Sequence, residues 1–231
     1  MKKLFASFLL LCLFCLPALG DDFIAMPDGQ QIRLEPILLE SQFRGADAVT
    51  EDIFVLTLYE GDAPFQELYF TTMESGEYGP LIKAHDLNFD GWPDLDIIYL
   101  LGASNSQHIF FFYEPDIGLF RSWEYGYHWL SNFDADPETN LIINYIHDSA
   151  VTGTKEIYRW EGKQLKLVRR GEIAWDENNP DALVLRIAAP DPQAGELRTL
   201  HTGALDLSTA SESDLLSFHQ ERDTRLWEGL K

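Results

Sequence analysis

Cysteine is nearly absent: the chain has only Cys12 and Cys15, and both fall within the first twenty residues. No disulfide is open to anything that follows, so the loops beyond need another restraint. Basic residues are also scarce. Seventeen Lys and Arg stand against 38 Asp and Glu, a formal charge of −21. That balance disfavours nucleic acid and anionic lipid as partners and favours a cation or a basic protein. G-x-S-x-G, H-E-x-x-H and a glycine-rich phosphate loop are missing, and six scattered histidines without thiols form no zinc motif. Catalysis is therefore not expected.

What is present begins with an export signal. MKKLFASFLLLCLFCLPALG sets Lys2 and Lys3 before an apolar run from Leu4 to Leu16 and ends in Ala18-Leu19-Gly20. This is the pattern of a signal peptide over residues 1–20, cleaved after Gly20. The run is short for a membrane span, and Asp21 and Asp22 follow at once. Leu11 and Phe14 precede the cysteines, so neither is a lipid-attachment site. The expected location is periplasmic or secreted, with no transmembrane segment left after cleavage.

From residue 50 to 175 aromatic and β-branched runs alternate with Gly, Pro, Asp and Asn. Three hairpins are predicted: 53–59 with 65–72, 108–114 with 119–125, and 155–160 with 165–173. Their turns lie roughly fifty residues apart, which suggests a repeated β unit. Further strands are expected at 140–147 and 182–189, with a loop at 190–195 before a last strand. Only the C-terminus reads as helix, about 212–228. Leu215, Phe218, Arg222, Leu226 and Trp227 share a face there, and Ser211 or Ser213 is the N-cap. The fold class is all-β, an antiparallel sandwich or propeller-like domain with a C-terminal helix, in one domain over 21–231.

The densest motif is DLNFDGWPDLD, residues 86–96. Asp86, Asn88, Asp90 and Asp94 take positions 1, 3, 5 and 9 of a loop with Gly91 at position 6. The Trp92 carbonyl at position 7 can add another oxygen. Hard oxygen donors at this spacing suit calcium. Position 12 is Ile97 where an EF-hand carries Glu, and a strand rather than a helix follows, with Asp96 near its start. All the donors come from one local loop, which points to a structural calcium rather than a catalytic one.

The order of motifs resembles one bacterial family. DLNFDGWPDLDIIYLLG (86–102), FFFYEPDIGLF (110–120) and IYRWEGKQLKLV (157–168) are similar to exported proteins like the periplasmic inhibitors of i-type lysozyme. That family includes immunity proteins of Xanthomonas-type bacteria against peptidoglycan hydrolases. The resemblance implies an all-β domain with bound calcium that occludes the active site of a peptidoglycan hydrolase or other secreted effector. In the inhibitors a Ser-Gly-x-Tyr loop enters the enzyme cleft. Here that position holds Ser104, Asn105, Ser106, Gln107 and His108, without the Gly and Tyr. A possible second interaction loop, Ser75-Gly76-Glu77-Tyr78, carries that spelling earlier in the chain.

Two other readings stand beside this one. His85 adjoins Asp86, and His128 sits among aromatics; both are more simply structural than catalytic. Trp123, Tyr125, Tyr127 and Trp129 alternate, so one face could stack on sugars in a calcium-stabilised carbohydrate- or wall-binding module.

Overall fold

Two neighbouring strands at the centre of the molecule are buried on both faces, and the rest of the fold is layered around them. The computed structural model describes residues 23–44, 49–73, 75–76, 79–123 and 130–230. The signal segment 1–20, Tyr78 and the aromatic residues 125–129 lie outside the described residues.

The first sheet is a meander of β1 (Phe23–Ala25), β2 (Gln31–Arg44), β3 (Val49–Glu60) and β4 (Ala63–Thr72). A small ribbon follows, β5 (Ser75–Gly76) with β6 (Gly79–Pro80). The second meander comprises β7 (Ile82–His85), β8 (Asp94–Leu101), β9 (Ser106–Glu114) and β10 (Leu119–Ser122). The third has six strands: β11 (Asp134–Asp136), β12 (Leu141–His147), β13 (Gly153–Glu161), β14 (Gln164–Asp176), β15 (Asn179–Pro190) and β16 (Leu197–Asp206). Every pairing is antiparallel between sequence neighbours. The three predicted hairpins thus fall one in each sheet, and the all-β expectation holds.

The sheets stack as a sandwich with the second sheet in the middle. Leu56 and Leu58 of the first sheet pack with Leu95, Ile97 and Phe111 of the second. On the opposite face Phe110 packs with Ile142, Tyr158 and Leu165 of the third. This explains why residues 109–113 of β9 form an unbroken apolar run: successive side chains point to opposite faces, and both faces are covered. Leu58, Leu95 and Ile97 are fully buried, each stabilising the stack by about 1.5–3 kcal/mol relative to exposure.

The helix α1 (Glu212–Trp227) closes the outer face of the third sheet. Ser211 caps it: its hydroxyl accepts from the Asp214 amide, and the Asp214 carboxylate accepts from the Ser211 amide. Phe218, Arg222 and Leu226, four residues apart, form the buried stripe. Gly171 of β14 makes room for it, because a Cβ there would lie 3.1 Å from both Arg222 Cγ and Leu226 Cδ1. Among the described residues no helix is long and apolar enough to cross a membrane.

Candidate functional site

The even-numbered residues of β9 all face the third sheet, and they divide the seam between the two sheets into two cavities. Ser106 and His108 line one, of about 490 Å³. Phe112 and Glu114 line the other, of about 720 Å³. Phe110, buried between them, is the partition. It contacts His108 on one side (5.9 Å between centroids) and Trp123 on the other (6.0 Å).

At the first cavity three polar groups are wired in series. His108 Nδ1 lies 2.5 Å from Asp96 Oδ1, and its Nε2 lies 2.7 Å from the Ser106 hydroxyl. Ser106 and His108 are two residues apart on one strand, and Asp96 is the diagonal neighbour across the β8–β9 pairing. Phe110 stacks on the imidazole and Phe133 meets its edge, so the ring is fixed. Burial drives the Asp96 carboxyl upward, but His108 and the more distant His85 outweigh it and hold it below the ordinary carboxylate range. The buried carboxylate favours a proton on Nδ1, which leaves Nε2 to accept from the serine. The order of groups is that of an acid–base–hydroxyl relay.

The loop between β8 and β9 forms the rim of this cavity. Gly102, Ala103 and Ser104 are exposed, while the base of the loop is strapped down. The Gly102 amide donates to the Asn105 carbonyl at 2.7 Å. The Asn105 side chain donates to the His147 carbonyl and accepts from the His147 amide, both at 2.8 Å. Asn132 donates to the Ser104 carbonyl at 2.7 Å. Of the five loop residues expected from sequence to probe a target, Ser104 stands at the tip and Asn105 anchors. Ser106, Gln107 and His108 belong to β9, with Ser106 only 8% exposed. Ser75 and Gly76 lie in the two-residue strand β5.

The acidic loop joins β7 to β8 and borders the second cavity through Asn88 and Asp90. It is a tight curl with side-chain oxygens turned onto its own amides. Asp86 accepts from the Asp90 amide at 3.1 Å and the Gly91 amide at 2.9 Å. Asn88 accepts from the Asp90 amide at 3.0 Å, and Asp90 accepts from the Trp92 amide at 2.9 Å. The curl needs left-handed backbone at Phe89 (φ 60°) and at Gly91 (φ 89°), a conformation glycine takes readily and phenylalanine does not.

Asp94, fully buried, accepts from the Leu87 amide at 2.9 Å and the Tyr113 amide at 3.0 Å. Burial pushes its carboxyl up to about 7 against the pull of these amides, and Asp90 and Asp86 add to the rise. Among the described residues no three acidic, His or Cys side chains converge in metal-ligating geometry. Asn88 and the Trp92 carbonyl are the neutral donors that the loop adds to its acids. Carboxylate, amide and carbonyl oxygens fit a hard cation in chemistry. The Asp96–His108–Ser106 chain was not legible in the sequence, although the period-two spacing of Ser106, His108 and Phe110 puts those three on one face of β9.

No family model matches the chain, and no curated protein does. One solved structure resembles it, described as a Xanthomonas type IV secretion system related protein. The TM-score is 0.50 at 12% identity, covering 74% of this chain and 89% of that one. The likeness is one of fold.

Proposed function

We propose that the chain is an exported, calcium-stabilised inhibitor or immunity protein that blocks the active site of a peptidoglycan hydrolase with the loop 102–105. The strapped loop carries this reading: its tip is exposed while its base is tied to β12 and to Asn132. A loop already held in place enters a cleft without a large ordering cost. The formal charge of −21 complements enzymes that are basic because they work on an anionic wall, and it would speed their encounter. The fold likeness to a secretion-system related protein of Xanthomonas supports the same setting. Calcium, held by Asp86, Asn88, Asp90, Asp94 and the Trp92 carbonyl, serves as the restraint that cysteines would otherwise provide.

In this reading the protein is not an enzyme, and the Ser106–His108–Asp96 chain braces the loop. The deciding experiment measures lysis by a panel of lysozyme-like hydrolases with increasing protein. Saturable inhibition of at least one, weakened by substitution at Ser104, is the expected result. Full lytic activity throughout the panel overturns the reading. Covalent labelling of Ser106 by a fluorophosphonate would overturn its non-catalytic part.

A further inference from the structure

We propose that the second cavity of the sheet seam, floored by Phe112, Trp123 and Trp160, binds a neutral or N-acetylated oligosaccharide. The inference does not depend on the inhibitor reading. At about 720 Å³ the cavity falls within the range of small-molecule sites, roughly 300–1,000 Å³. Its floor is aromatic. Phe112 meets Trp160 edge to face at 5.3 Å and Trp123 at 5.9 Å, and the two indoles are tilted by 59° at 5.5 Å. Each edge-to-face contact covers one face of one ring only, and all three residues line the cavity and are only partly buried. Trp160 is also fixed in direction, because its indole N–H donates to the Leu87 carbonyl at 2.7 Å.

The mouth has the opposite chemistry. Glu114 holds Lys163 at 2.5 Å through one oxygen and Arg121 at 3.1 Å through the other. Asp116, Asn88 and Asp90 complete the rim. Donors and acceptors therefore alternate around an apolar floor.

This combination selects among ligands. A hydrocarbon chain would strip water from the ion pairs and give nothing back. A nucleic acid or a small anion would meet Glu114 and Asp116, on a chain of charge −21. A cation would meet Lys163 and Arg121. A sugar ring satisfies both surfaces: its C–H face lies on an indole, and its hydroxyls both donate to Glu114 and accept from Arg121 and Lys163. An N-acetyl group adds one more donor and acceptor of the same neutral kind.

The test uses the whole protein in calcium-containing buffer, titrated separately with tri-N-acetylchitotriose, cellotriose and maltotriose. Heat and intrinsic tryptophan fluorescence are recorded. At least one sugar should bind saturably, with a Kd in the micromolar to millimolar range. Trp123→Ala should weaken binding by about tenfold or more, which is about 1.4 kcal/mol. Lys163→Ala, a change at an exposed position whose melt is measured alongside, should weaken it several-fold. No saturable signal with any sugar up to about 10 mM, a ceiling equivalent to roughly −3 kcal/mol, overturns the proposal. Binding indifferent to both variants, or saturable binding of a proline-rich peptide in place of sugar, overturns it as well. Hydrolase inhibition plays no part in these outcomes, so the two readings can fail separately.

Discussion

Trp160 of the third sheet donates its indole N–H to the main-chain carbonyl of Leu87, in the acidic loop of the second sheet, at 2.7 Å. One hydrogen bond thus ties a strand, a loop and the aromatic floor of a cavity together. Trp160→Phe keeps an aromatic ring but removes the donor, leaving the carbonyl of a residue that is 2% exposed without this partner. The loss should be about 1–3 kcal/mol, seen as a lower urea midpoint. A midpoint equal to that of the parent protein would show that the bond contributes nothing net.

With calcium held in the acidic loop, as proposed, stability should depend on metal. EDTA should lower the melting temperature and calcium should restore it, because a ligand that binds only the native state adds stability. The gain is about 2.7 kcal/mol at a hundredfold excess over Kd. For a chain of this size that is worth roughly 2–4 °C per kcal/mol. Asp90→Ala should melt like the chelated parent and ignore added calcium. A melt that EDTA leaves unchanged removes the case for a structural ion.

The hairpins were legible in the sequence because their turns announce themselves. Gly61, Gly118 and Gly162 all take positive φ, at 61°, 67° and 61°, where most side chains are strained. The helix was legible for a similar reason, from Ser211 and the four-residue spacing of its buried stripe. β2 was not anticipated. Pro36 lies within it, and Ile37, Leu38 and Leu39 remain 44–52% exposed, so its pattern lacks the clean alternation of a half-buried strand. The relay and both cavities were hidden for a different reason. They depend on which residues lie diagonally across the β8–β9 pairing and on what the third sheet covers, and neither follows from spacing along one strand.

The helix depends on a glycine that carries no turn. At Gly171 a Cβ would come within 3.1 Å of Arg222, Ile187 and Leu226 together, so three neighbours at once would have to give way by a few tenths of an ångström. Gly171→Ala should therefore destabilise by about 1–3 kcal/mol through overpacking, even though alanine suits strand backbone at least as well. Chemical denaturation would measure it. A neutral or stabilising result would mean that the helix shifts freely on the sheet.

Asn105 offers a way to loosen the rim loop without touching its tip. Its side chain makes both bonds to the His147 backbone. Asn105→Ala should weaken hydrolase inhibition by about tenfold, roughly 1.4 kcal/mol, with a smaller effect on the melt. Inhibition that survives intact would separate the binding surface from this loop.

The last prediction concerns acid. Asp223 on the helix receives Lys155 at 2.7 Å and, at 2.9 Å, Arg222, whose own side chain is 3% exposed. Burial raises the Asp223 carboxyl, but Lys155 and Arg222 outweigh it and hold it below its ordinary value. The folded state therefore binds fewer protons than the unfolded chain just below the unfolded pKa of about 3.9. The contribution is complete above that value and is lost as the pH falls through the lower, folded one. With the Asp223 side chain 42% exposed, water and salt screen the effect, so it should be modest and should shrink at high ionic strength. Asp223→Asn should lower stability at neutral pH and flatten the acid limb of the stability curve, measured by urea midpoints from neutral pH down to about pH 2. Acid limbs that run parallel in parent and variant would place the acid sensitivity at other carboxylates.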